Sequence, residues 1–154
     1  MKRILFLAAL LGAPAHAHDY ATGALAIAHP YAIETVANAP VGGGYMTISN
    51  TGPTDDRLIA VEVAPDLAGL VQLHEMSMDN GVMRMGPLEG GVPLPAGETV
   101  TLEPGGRHVM FMQLGTGLAA GTEIPATLIF EKAGPVDVVF KVEPRGGEDG
   151  HSGH

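Results

Sequence analysis

Residues 74–88 read HEMSMDNGVMRMGPL, an alternating run on either side of Asn80-Gly81. Asn-Gly is the pair a two-residue type I′ hairpin demands, because both of its central residues take positive φ. The stretch therefore predicts two antiparallel strands, near Leu70–Met78 and Val82–Leu88, joined at that turn. In this register Met78 faces Met83, Met76 faces Met85, and His74 lies diagonal to Met85. Period-two alternation also puts His74, Met76 and Met78 on one face of the first strand, and Met83 and Met85 on one face of the second.

The same grammar extends in both directions. The 22 glycines and 12 prolines are spread along the chain and punctuate short β-type runs. Further strands are predicted near Ala24–Ala28, Ala32–Val36, Gly44–Ser49, Arg57–Val63, Thr99–Glu103, Arg107–Leu114, Ile124–Glu131 and Val136–Val142. NTGPTDD, LPAGE and EPGG between them are turn chemistry. No segment has helical periodicity, so the pattern predicts an all-β antiparallel sandwich or barrel. At 154 residues the chain has room for one core, and a single domain over residues 18–143 is expected.

The first residues, MKRILFLAALLGAPAHA, have the basic start, short apolar run and small-x-small ending of an export signal, with cleavage expected after Ala17. Loss of Lys2 and Arg3 would take the formal charge from −9 to −11. Such an acidic chain is a poor partner for nucleic acid or an anionic membrane surface. After residues 1–17 no run approaches the length of a membrane span, so no membrane insertion is expected and the mature protein should be soluble and exported. There is no cysteine, hence no disulfide and no thiolate chemistry. Stability must come from the core, for which 45% apolar residues are available. The tail, 144–154, is PRGGEDGHSGH; it has no apolar residue to offset its ordering entropy and is expected to be flexible.

Six of the eight methionines fall in two windows, Met76 to Met85 and Met110 to Met112, and each window has a histidine beside it. In RHVMFMQL, period two aligns His108, Met110 and Met112 while Val109 and Phe111 point the other way. If the two strand systems are neighbours, two imidazoles and several thioethers converge at one rim. The metal such a set suits is monovalent copper, because thioether sulfur is a soft ligand and imidazole serves copper in either oxidation state. Methionine also has no proton to lose and survives an oxidising compartment better than a thiol. Zinc would recruit Cys, His or carboxylate, and a blue-copper centre needs a cysteine that is missing here.

His74, ten residues, Met85, 22 residues, and HVM at His108 to Met110 together form a spaced pattern. It resembles the signature of periplasmic copper chaperones of the PCuAC type. The resemblance continues through GGGYMTISN, DDRLIAVE, VQLHEMSMDNGVMRM and LPAGETVTLEPGGRHVMFM, most of Val41 to Leu114. It implies a cupredoxin-like β-sandwich that is not an enzyme, with Cu(I) held by the matching His74, Met85, His108 and Met110. It also implies copper donor and acceptor proteins as partners, in the assembly of the copper centres of cytochrome c oxidase. The second gap is one residue longer than the usual family pattern. The extra residue is assigned to the LEGGVPLPAG stretch, read as a loop where insertion costs little.

Each of these residues also has an ordinary reading. A strand methionine is usually core filler, and that reading is kept for Met46. Met76, Met78 and Met83 stay open between packing over the site, shielding it and serving as alternative ligands, while Met112 completes an apolar rim. His29, between Ala28 and Pro30, reads as a hydrogen-bonded or exposed histidine, and Asp55, Asp56 and Arg57 as a polar turn or an ion pair. A second site, for Cu(II), is conceivable through tail residues His151 and His154, or through His18 if it becomes the amino terminus. The His18 chelate would support a rival reading as a copper oxidase or oxygenase. A second rival is an immunoglobulin-like interaction domain whose methionines merely pack. A monomer is expected.

Overall fold

The computed structural model describes residues 19–146. The expected export signal, His18, His151 and His154 lie outside the described residues. The chain forms β1 (Tyr20–Thr22), β2 (Leu25–Ile33), β3 (Val41–Asn50), β4 (Asp56–Val63), β5 (Ala68–Asp79), β6 (Val82–Pro87), β7 (Val92–Leu94), β8 (Thr99–Leu102), β9 (Arg107–Leu114), β10 (Glu123–Phe130) and β11 (Gly134–Glu143). The strands hydrogen-bond in the order β6-β5-β9-β3-β2-β11-β10-β4-β7, with β1 on β2 and β8 on β3. The path folds into a β-sandwich. All of its pairings are antiparallel except β11 on β2, which is parallel. No helix of the described residues is long and apolar enough to cross a membrane.

Alternation decides which side chains meet inside. Leu73 on β5, Val109 and Phe111 on β9, Met46 and Ile48 on β3, Leu128 on β10 and Phe140 on β11 are all buried in one apolar cluster. Phe111 and Phe140 meet edge to face at 5.6 Å and 86°, an arrangement the ring quadrupoles favour, and join the two layers. Met46 is core filler, as its isolated position in the sequence suggests.

The structure departs from the sequence reading in four places. Separate strands were expected near Ala24–Ala28 and Ala32–Val36, but β2 runs on through Pro30, and the register shifts between Ala28 and Tyr31 around His29 at φ 47°. This is how a strand accommodates a proline that cannot donate to the ladder. His29 is exposed there and pairs with Glu143 at 2.9 Å. The short β1 was missed. So was β7, which lies within the stretch read as a tolerant loop: Val92 and Leu94 are buried, and β7 pairs with β4. An extra residue is therefore cheap only in the turns flanking β7. Asp56 is more than a polar turn residue, because its carboxylate accepts from the backbone N–H groups of Arg57, Lys132 and Ala133.

The three glycines 42–44 are extended and matter for what they lack. A Cβ on Gly42 would meet Leu118 at 2.6 Å, and one on Gly44 would meet the Phe111 ring at 2.8 Å and Phe140 at 3.2 Å. Gly43 faces the other way, and its missing side chain leaves room for the Tyr45 hydroxyl. Gly44→Ala should therefore overpack the Phe111–Phe140 contact and cost about 1–3 kcal/mol. Gly81→Ala, in open space, should lose only the roughly 1–2 kcal/mol penalty of its left-handed φ. Urea midpoints of the two variants against the parent measure both.

Candidate metal centre

The hairpin at Asn80-Gly81 has φ 49° and 78°, and its register is Met78 opposite Met83 and Met76 opposite Met85. On its other side β5 pairs with β9, which sets His74 directly opposite His108 and Gln72 opposite Met110. The two imidazole rings lie 5.8 Å apart. Met85, His108 and Met110 line one hollow of about 420 Å³, together with Met76, Tyr45 and Gly43. Three of the four expected residues, Met85, His108 and Met110, thus share this hollow, while His74 does not line it and adjoins it through its ring contact with His108. They are not equally accessible: His74, His108 and Met110 are 7%, 5% and 8% exposed, whereas Met85 is 53% exposed. The rim expected from sequence is a buried trio with one open donor. Met112 lies two residues along the same face of β9.

Among the described residues only three polar side chains are buried: Asn50, His74 and His108. Asn50 is satisfied, donating to the Thr54 and Leu94 carbonyls and accepting from the Gly52 N–H. Of the two histidines, only His74 has a buried ring nitrogen without a partner. His108 Nδ1 lies 3.1 Å from the Gly106 carbonyl, which only accepts, so Nδ1 holds the proton and Nε2 presents a lone pair. His74 Nε2 donates to Gln72 Oε1 at 2.9 Å, which leaves Nδ1 as a lone pair, and that atom is buried with no partner. An unpaired buried acceptor costs about 1–3 kcal/mol. A metal ion on this side of the ring would satisfy it, and the hydrogen bond on the far nitrogen is the usual device for fixing such a ligand.

No group of three or more His, Cys, Asp or Glu that could hold a metal occurs among the described residues. A metal at this point would therefore draw on thioether sulfur beside the two imidazoles, a soft set. A larger hollow, about 600 Å³, lies between Tyr20, Pro125 and Val139, but neither histidine nor methionine lines it. Sequence reasoning overlooked Gln72, Tyr45 and Gly43. Gln72 was findable, since it sits two residues before His74 on the same strand face. Tyr45, whose ring centroid is 6.4 Å from that of His108, and Gly43 depend on the β3–β9 pairing, which no local pattern reveals.

Burial, and then the nearby His108, hold the His74 pKa below the ordinary imidazole value. The unfolded chain therefore binds this proton more readily than the native protein. The corresponding stability is present above about pH 6.5 and is lost as the pH falls through the lowered native value. In metal-free protein the urea midpoint should fall between about pH 7.5 and 5.5, and the fall should be smaller in His74→Gln. Histidine ring ¹⁵N shifts at neutral pH should show His74 protonated on Nε2 and His108 on Nδ1.

The profile of the family described as "Putative lipoprotein LpqE-like" matches residues 25–142. The "Putative lipoprotein Lxx21020" of Leifsonia xyli subsp. xyli is 34% identical over 107 residues, 70% of this chain and 63% of that protein. The match thus spans less than two thirds of that relative's length. Among solved structures, the copper-bound PCuAC domain from PmoF2 superposes with a TM-score of 0.68 at 30% identity, over 83% of this chain and 99% of that one. The solution structure of the Cu(I) form of DR1885 from Deinococcus radiodurans superposes at 0.55 with 25% identity, over 84% of this chain and 83% of that one. The chain belongs to the LpqE-like family and has the β-sandwich fold of PCuAC domains.

Proposed function

We propose that this protein is an exported copper carrier, not an enzyme, that takes up Cu(I) through His74, Met85, His108 and Met110. The observation that carries this reading is the pair of imidazoles on adjacent strands. Each has one ring nitrogen tied by a hydrogen bond and the other free, beside a hollow lined by Met85 and Met110. Two thioethers and two neutral imidazoles are four uncharged, soft-to-borderline donors, which suit a monovalent cuprous ion better than zinc or a hard divalent cation. The copper-bound state of the PmoF2 domain and the Cu(I) state of DR1885 support the same choice. A role in which the methionines merely pack leaves the unpaired Nδ1 of His74 without a purpose.

Copper here is cargo. The exposed Met85 gives an incoming ligand a side from which to approach before the three buried donors let go, so release proceeds by ligand exchange. The periplasm is the proposed site of action, and copper centres such as those of cytochrome c oxidase are the proposed destination. The net charge of −9 favours approach of a cation or of a basic partner surface.

Cu(I) titration of the mature protein against a chromogenic Cu(I) chelator, followed by X-ray absorption, tests the site. One tightly held ion with two sulfur and two nitrogen neighbours is expected. His74→Leu with Met85→Leu should keep the fold and weaken Cu(I) binding at least ~100-fold, about 2.7 kcal/mol. Unchanged stoichiometry and affinity in that variant would overturn the assignment.

A further inference from the structure

The hairpin tip has features that the four-residue site does not use. Beyond Met76, whose N–H donates to the Gly106 carbonyl, β5 and β6 leave the sheet as a two-stranded ribbon, and every residue from Ser77 to Met85 is exposed. One face of the ribbon carries Ser77 opposite Arg84 and Asp79 opposite Val82, itself 56% exposed, and offers no sulfur. The face continuous with His74 holds Met78 directly opposite Met83, at 65% and 54% exposure. Unburied thioethers add nothing to the core, and two of them at a projecting tip are not explained by packing.

We propose that Met78 and Met83 form a second, weaker and more accessible site for a soft monovalent cation, a cuprous ion in the cell. Cross-strand neighbours have Cβ atoms about 4.5–5.5 Å apart. Each methionine has three rotatable bonds, so both sulfurs reach a common point between the strands without backbone movement. The left-handed Asn80-Gly81 turn fixes that register. A closed-shell monovalent ion accepts as few as two soft donors, whereas the Met78–Met83 pair offers a hard divalent cation no oxygen. The Asp79 carboxylate is 3.6 Å from the Arg84 guanidinium and is thereby compensated, so the pair recruits by softness rather than by charge. The next methionine pair, Met76 and Met85, lies two residues along each strand, about 7 Å away. The tip site therefore stands immediately outside the proposed primary one, on which it depends only for the identity of the cargo.

Silver(I), a redox-silent stand-in for Cu(I), titrated into protein labelled with ¹³C at the methionine methyls tests this. The first equivalent should shift Met85 and Met110. Further silver should shift Met78 and Met83 together, in fast exchange and with at least tenfold weaker affinity, while Met46 stays still. In Met78→Leu with Met83→Leu, both at exposed positions, the second step should vanish and the first should remain. Methyls of Met78 and Met83 that stay still through several equivalents, or that move no more than Met46 and Met112, overturn the proposal. Response at Met78 and Met83 without any at Met85 and Met110 supports the tip site while sinking the primary one.

Discussion

The pairing of β5 against β9 is the constraint on which the rest depends, because it alone sets His74 across from His108. Nothing in the histidines themselves fixes it. The opposite faces of these strands carry Leu73, Val109 and Phe111, all buried in the core. A one-residue slip of β9 would turn Val109 and Phe111 outward and His108 inward. At about 1.5–3 kcal/mol for each large apolar side chain, the slip would forfeit roughly 3–6 kcal/mol. That is a large share of the stability of a domain this size, about 5–15 kcal/mol. The site geometry is therefore held by the hydrophobic effect acting on the other side of the sheet.

The hollow beside the histidines arises differently, from atoms that are absent. Gly43 stands opposite Met110 and contributes no side chain, so Tyr45 can lie close over the strand and the hollow extends between its ring, His108 and Met110. Tyr45 lies over the glycine and keeps its ring near that of His108, walling the hollow on one side. Gly42 and Gly44, on the opposite face, let Leu118 and the two phenylalanines approach the backbone of the same strand. One three-residue run thus tightens the core on one face and opens a cavity on the other.

How much of this was legible depends on whether the signal was local. The Asn80-Gly81 turn, its register and the shared face of His108, Met110 and Met112 follow from period two and turn chemistry, which act over a few residues. The passage of β2 through Pro30 was hidden, because a bulge is stabilised by neighbouring strands rather than by the residues that form it. β7 was hidden because a three-residue strand is too short to show alternation, although its two buried residues are as enclosed as any in the core. The nearness of β5 to β9 was only a condition in the sequence reading. Its consequences, the free Nδ1 of His74 above all, became visible once tertiary pairing was known. The expected export signal and the tail histidines lie outside what the structure describes.

The unequal burial of the four proposed donors bears on whether a bound ion would stay or leave. β5 and β9 are interior strands, each paired on both sides, so the three donors they carry are fixed by two ladders of hydrogen bonds. β6 is an edge strand paired only with β5, and its Met85 is half exposed on an unbranched side chain. Withdrawing that thioether breaks no backbone bond and leaves three donors in place, so the cost of opening the site is confined to one soft contact. A site built to retain its ion would place its fourth donor on an interior strand and enclose it. In the proposed carrier, placing it on the edge would make exchange begin at a defined side, the side facing solvent, where an acceptor's own ligand has room to enter before the imidazoles release.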